Sequence, residues 1–141
     1  MLGQKISVDS SQKYLDISGD SNGMSFLNNF VKKRAEFPGG KTNWQNFLRN
    51  NINIKIPTSN NAKPDTYVVV IRFIVDDQGK IHTIGADSNC GYGMETEIIR
   101  CVKKSSDWIP AETESGKKVA STVRTAVIFT VKRNDVTISF M

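Results

Sequence analysis

The chain has 141 residues, about one domain's worth, with 38% apolar and 23% charged residues, 10 Gly and 2 Cys. This is a globular composition that excludes wholesale disorder and a disulfide-built scaffold. Its longest unbroken apolar run, Tyr67-Val68-Val69-Val70-Ile71, is far below the ~20 residues of a membrane-spanning helix. The net charge is +5, from 19 Lys+Arg against 14 Asp+Glu, but the basic residues are scattered and only Lys32-Lys33-Arg34 cluster. A nucleic-acid binder concentrates such charge on one face with interleaved aromatics, so a solvated basic surface is the plainer account and no nucleic-acid partner is expected.

Met1-Leu2-Gly3-Gln4-Lys5 has no apolar core of a signal peptide. Either the chain is cytosolic or its targeting segment lies outside this sequence. Residues Met1 to Asn22 are polar, with short alternations at Ile6/Val8 and Leu15/Ile17, and are expected to form a weakly held arm with short strands. Met24 to Arg34 fits a helix stripe or a short strand about equally. Phe37-Pro38-Gly39-Gly40 must break any regular element, because Pro fixes φ and glycine admits positive φ.

Thr42 and Gln45 form a T-x-x-Q capping box that predicts a helix start, with Trp44, Phe47 and Leu48 on its apolar face. Ile52, Ile54 and Ile56 alternate until Pro57, and residues 58–64 form a polar connection. Thr66 to Val75 is the strongest strand, apolar on both faces. Asp76-Asp77-Gln78-Gly79 is a hairpin turn, and Lys80 to Ala86 returns as a second strand. A helix is predicted from Gly93 to about Ser106, with Met94, Ile98, Cys101 and Val102 on one stripe. Trp108-Ile109-Pro110-Ala111 ends it, and Glu112 to Lys118 is expected to be a turn. Ser121 to Lys132 is a third strand, with Val123, Val127, Phe129 and Val131 on one face and Arg124, Thr130 and Lys132 on the other. Val136 to Phe140 forms a short final strand. The expected fold is α+β: a small three-stranded antiparallel sheet with two helices packed on one face, plus an amino-terminal extension over residues 1–34.

Chemistry-bearing constellations are sparse. His82 is the only histidine, on a strand just past a turn, where a surface role is commoner than a base. A thiol–imidazole pair of His82 with Cys90 or Cys101 is the one enzymatic alternative, although Cys101 sits on an apolar stripe and fits the core. Two Cys and one His lack zinc-site spacing, Asp76-Asp77-Gln78-Gly79 lacks the length of a calcium loop, and Gly91-Tyr92-Gly93 lacks the residues of a phosphate loop. No cofactor or metal is expected, and no enzymatic activity. Trp44 and Trp108 fit core anchors better than exposed platforms.

Several motifs in series resemble the TonB carboxy-terminal domain of Bacteroidetes-type energy transducers. They are Ala35-Glu36-Phe37-Pro38-Gly39-Gly40, Phe47-Leu48, Asn51-Ile52, Phe73-Ile74-Val75-Asp76, Gly79-Lys80-Ile81, Glu97-Ile98-Ile99-Arg100, Trp108-Ile109-Pro110-Ala111, Gly116-Lys117-Lys118-Val119 and the apolar strand Ala126 to Val131. They run from Ala35 to about Arg133, placing a TonB-like domain at 35–141. Ile56-Pro57 stands where the family usually has Tyr-Pro, and the family's transmembrane helix and Pro-rich spacer are not in this sequence.

The resemblance implies a periplasmic adaptor without catalysis. It would capture the TonB box, a short extended segment of an outer-membrane transporter, by adding it as a strand to the sheet edge and so drive substrate uptake. Coupling to the inner-membrane proton-driven motor complex would run through an upstream segment absent here. The resemblance assigns the docking edge to the third strand: Thr122, Val123, Arg124, Thr125, Ala126, Val127, Ile128, Phe129, Thr130 and Val131. Arg124, Lys132 and Arg133 are charges of the kind that guard an edge. The plainer alternatives are an interior strand or one paired in a homodimer. In an oxidising periplasm Cys90 and Cys101 could form a disulfide; two unpaired thiols are the default. The alternative function is a free-standing interaction or regulatory module of the same fold, such as the sensing tail of a membrane metallopeptidase.

Overall fold

The computed structural model of the chain describes residues 31–105 and 107–141. The expected arm over Met1 to Asn22, and Met24 to Phe30 of the ambiguous segment, lie outside the described residues. The elements in order are β1 (Val31–Lys33), α1 (Lys41–Asn51), the one-turn helix α2 (Ile56–Ser59), β2 (Asp65–Val75), β3 (Ile81–Ala86), α3 (Met94–Lys103), β4 (Ala111–Thr113), β5 (Lys118–Val119), β6 (Ser121–Lys132) and β7 (Asp135–Phe140). The fold class is α+β with antiparallel strands, as the patterning implies. The expectation of one three-stranded sheet is corrected: there is a three-stranded sheet in the order β1-β4-β5 and a four-stranded sheet in the order β3-β2-β6-β7.

The described chain divides into two compact units, and β2, β3 and β6 contribute residues to both. The first holds residues 31–40, 73–83 and 107–123. Here the expected turn from Glu112 to Lys118 is a hairpin, with Ala111 paired to Val119 and Glu112 to Lys118. Glu112 also pairs with Lys33 of β1, so one acidic residue stands opposite a lysine on each neighbouring strand. The core anchor is Trp108, 5% exposed, which meets Phe37 and Phe73 edge-on at 5.7 and 5.2 Å. Glu36 and Ile109 exchange main-chain bonds of 3.0 and 2.9 Å beside it.

The hairpin turn at Asp76 forms as the sequence predicts. Asp76 Oδ1 accepts the N–H groups of Gln78 and Lys80, both at 2.9 Å. Gly79 closes the turn at φ +81, and its carbonyl accepts the N–H of Trp108 at 3.0 Å. A Cβ on Gly79 would stand 2.2 Å from the Trp108 carbonyl oxygen, so both the conformation and the space demand glycine.

The second unit holds residues 41–72, 84–105 and 124–141. α1 begins at Lys41, immediately after the positive-φ pair Gly39 and Gly40, so Thr42 lies within its first turn and not ahead of it as the capping box implies. Trp44 and Leu48 are its buried residues, and the Trp44 indole N–H donates to Thr125 Oγ1 at 3.1 Å. That contact sets α1 on the side of β6 where Val127, Phe129 and Val131 are buried. The Ile52–Ile56 alternation does not become a strand. Pro57 instead opens α2, where its fixed φ suits the first helical turn.

α3 buries Met94, Ile98, Cys101 and Val102, the stripe the spacing predicts. Two of its acids hold loops in place. Glu95 accepts the N–H groups of Cys90 and Gly91 at 2.7 and 3.0 Å and the Ser88 hydroxyl at 2.8 Å. Glu97, 6% exposed, accepts the N–H of Asn53 at 2.8 Å and the guanidinium of Arg100, whose Nη2 also reaches the Asn51 carbonyl. The end of α1 is thereby tied to α3.

Candidate docking edge

Only Arg133 and Asn134 separate β6 from β7, so β7 turns straight back and pairs from Lys132↔Asp135 to Val127↔Phe140. The pair that closes a two-residue turn exchanges both main-chain hydrogen bonds, and bonded and unbonded pairs alternate beyond it. Thr137 and Ser139 therefore bond to Thr130 and Ile128. The N–H and C=O groups of Val136, Ile138 and Phe140 point the other way, along the rim. Among the described residues β7 is the last strand of its sheet.

The side chains of that rim are two-faced. Val136 is buried and Ile138 and Phe140 are half-buried, on the face of Val127, Phe129 and Val131, while Asp135, Thr137 and Ser139 are exposed. The guanidinium of Arg49, exposed on the last turn of α1, lies 4.9 Å from the centre of the Phe140 ring. From Val136 to Phe140 there is no charge, proline or glycine. Edge strands are normally guarded by such residues or by a distortion, and on β7 the one such residue is Asp135, at its start beside the turn. The opposite edge strand, β3, differs: Thr83 within it sits at φ +56, a left-handed conformation that breaks a regular rim.

The segment Thr122 to Val131 lies in β6, second from the edge. The expectation that it forms the open edge is corrected for Val127 to Val131, which pair with β7; the register stops at Val127 and does not extend to Thr122–Ala126. The physical reason is the short turn combined with the alternation of Val136, Ile138 and Phe140, which continues the apolar face. That same signal, a period-two run two residues after a strand, locates the true rim in the sequence. Arg124 is not an edge guard either. Its Nε donates to Asp87 Oδ2 at 2.8 Å, and Arg72 Nη1 stands 3.2 Å from Asp87 Oδ1.

Cys90 and Cys101 are free thiols, with no disulfide between them. Cys101 is fully buried on α3, and burial followed by the nearby Glu97 charge pushes its pKa up to about 11. Cys90 donates to the Val68 carbonyl at 3.2 Å, and burial together with Glu95 raises its pKa too. Both thiols stay protonated at neutral pH, the opposite of an activated nucleophile. His82 shares a 3.1 Å hydrogen bond with Thr83 and stands 3.5 Å from Asp76. Among the described residues no cluster of three or more His, Cys, Asp or Glu could hold a metal ion, and no helix is long and apolar enough to cross a membrane.

Burial alone would raise the carboxyl of Glu97, but hydrogen bonds from Arg100 and Asn53 outweigh it and hold the group below the usual carboxylate range. Glu95 follows the same balance, burial against the donors of Cys90, Ser88 and Gly91. Both acids are structural anchors, and the rim of β7 from Val136 to Phe140, without charge, proline or glycine, is the feature they leave unaccounted for. No protein-family model, no curated protein and no solved structure matches this chain.

Proposed function

We propose that the chain is a non-enzymatic binding module of the TonB carboxy-terminal kind, working in the periplasm. It takes up an extended segment of an outer-membrane transporter as an added strand beyond β7. The reading rests on one observation: the main-chain groups of Val136, Ile138 and Phe140 point outward from the strand that is last in its sheet among the described residues, over a run with no charge, proline or glycine. The motif series of the sequence supplies the family, and the corrected edge moves the docking position from β6 to β7.

Strand addition suits a reversible mechanical link. Main-chain bonds supply affinity and alternate side chains supply selectivity. Each bond contributes only about 0.5–1.5 kcal/mol net, so a short strand releases at rest, yet bonds side by side share a shearing load. A guest strand here meets Val136, Ile138 and Phe140 on one face and Thr137 and Ser139 on the other.

The test is titration of the isotope-labelled chain with a synthetic peptide from a transporter's amino terminus. The amides of Val136, Ile138 and Phe140 should shift and become protected from exchange, and Ile138→Pro, which deletes one outward N–H, should abolish binding. Shifts confined to other elements would overturn the assignment.

A further inference from the structure

We infer that the three-stranded sheet β1-β4-β5 carries a second interaction surface, a basic face that docks on an anionic lipid headgroup layer. It lies in the first compact unit and uses none of the main-chain groups of the β7 rim.

Lys32-Lys33-Arg34 is the one basic cluster of the sequence, and strand addition at β7 gives it no role. The fold brings it beside Lys117-Lys118. Lys33 stands opposite Glu112 and Glu112 opposite Lys118, so these three side chains share one face of the sheet. The other face turns inward, with Ala111 buried and Val31, Thr113 and Val119 half-buried. Between Val31 and Lys33 the register shifts, which leaves Lys32 as the extra residue of a bulge. Lys32, Lys33, Arg34, Lys117 and Lys118 are all exposed.

Residues 31–34 and 111–119 hold these five cations and two carboxylates, Glu112 and Glu114. Other cations of the chain are engaged: Arg72 and Arg124 by Asp87, Lys80 by Asp107 and Arg100 by Glu97. Among the described residues no carboxylate forms an ion pair with any of the five.

The kind of charge selects the partner. Four of the five are lysines, flexible point charges and not the rigid forks that grip one carboxylate or phosphate with two bonds. No aromatic residue interleaves them, so nucleic-acid bases have no platform to stack on. With strands ~4.8 Å apart, Lys33 and Lys118 are ~10 Å apart across β4, close to the ~8 Å screening length of physiological salt. Charges so spaced act together on a plane of anions and singly on a small one. A headgroup layer is such a plane, and its negative potential attracts lysine clusters without fixed geometry. Glu112 offsets the repulsion between its two lysines and moderates the pull.

The experiment is co-sedimentation of the full chain with vesicles of phosphatidylcholine mixed with phosphatidylglycerol, against vesicles of phosphatidylcholine alone. Binding should occur only to the anionic vesicles and fall steeply with added salt. Lys33→Gln combined with Lys118→Gln should weaken it about twentyfold, about fivefold for each cation removed. Glu112→Gln should strengthen it by about the same single step. Lys103→Gln with Lys104→Gln removes equal charge from exposed positions at the end of α3, in the other unit, and should change binding far less. No binding to anionic vesicles, or equal losses in both double variants, would overturn the inference, the second by making net charge the cause. Tighter binding to polyglutamate than to the vesicles, lost with Lys33 and Lys118, would overturn it in favour of an acidic protein partner.

Discussion

Trp44 donates its indole N–H to the hydroxyl of Thr125 at 3.1 Å, with the two residues 8% and 7% exposed. The bond joins helix α1 to strand β6 across 81 positions of sequence. Thr125→Val keeps the shape and removes the acceptor, which should cost about 1–2 kcal/mol. A double-mutant cycle with Trp44→Phe, read by urea denaturation, should return a coupling of about 1 kcal/mol between the two sites.

The buried Glu97 gives the fold a defined acid response. Its folded pKa lies below the unfolded value, so its contribution is complete above the usual carboxylate range of about 4.3 and disappears as pH falls through the folded value. Urea midpoints measured from neutral pH downward should therefore drop across the acid range. Glu97→Gln should lower the neutral-pH midpoint and flatten that part of the profile, so the two proteins converge in acid.

Gly79 and Gly116 both have positive φ, +81 and +85, but only Gly79 has backbone against it. Gly116→Ala meets nothing within 4 Å and should cost about 1–2 kcal/mol, the conformational penalty alone. Gly79→Ala adds the clash with the Trp108 carbonyl and should cost clearly more. Thermal melting of the two variants side by side reads the difference.

The parity of β7 separates two proline substitutions one residue apart. Thr137→Pro deletes an N–H that bonds to Thr130 and should destabilise the hairpin by about 1–3 kcal/mol. Ile138→Pro deletes an N–H on the rim and should leave the β6–β7 ladder intact, as edge strands tolerate proline. Amide exchange along β6 distinguishes them: protection of Val127 to Lys132 should survive the second substitution and fall with the first.

Thiol labelling checks the two cysteines. Cys101, buried and with its pKa pushed up to about 11, should react with a disulfide reagent only on unfolding. Cys90 is half-buried and should react slowly in the native chain. Cys90→Ser should abolish that slow native reaction while leaving the denaturant-dependent one.

Much of the architecture is legible because its signals are local. The alternation of β2 and β6, the stripe of α3 and the aspartate-led turn at Asp76 each specify their own geometry without reference to distant residues. What escapes is set by neighbours. Glu112 to Lys118 has turn residues, yet Glu112 pairs with both β1 and β5, with Thr113 on β1 and Ala111 on β5, and that pairing makes Ala111–Thr113 a strand. Thr42 has a capping side chain, but the preceding glycine pair lets the helix begin at Lys41. The place of β6 inside its sheet escapes for a similar reason. Strand order is a property of the sheet, and only the two-residue connection at Arg133-Asn134 hints that the last strand sits outside β6.

That brief connection also orders events in time. A hairpin closed over two residues zips in ~1–10 μs, whereas the Trp44–Thr125 contact must await the meeting of remote segments. The carboxy-terminal ribbon thus closes by a local step, whereas the sheltering of its apolar side by the helices is non-local. During refolding at high concentration, nascent ribbons from different molecules meet each other first, and dilution or an early chaperone should raise the yield more than any change that strengthens the finished core.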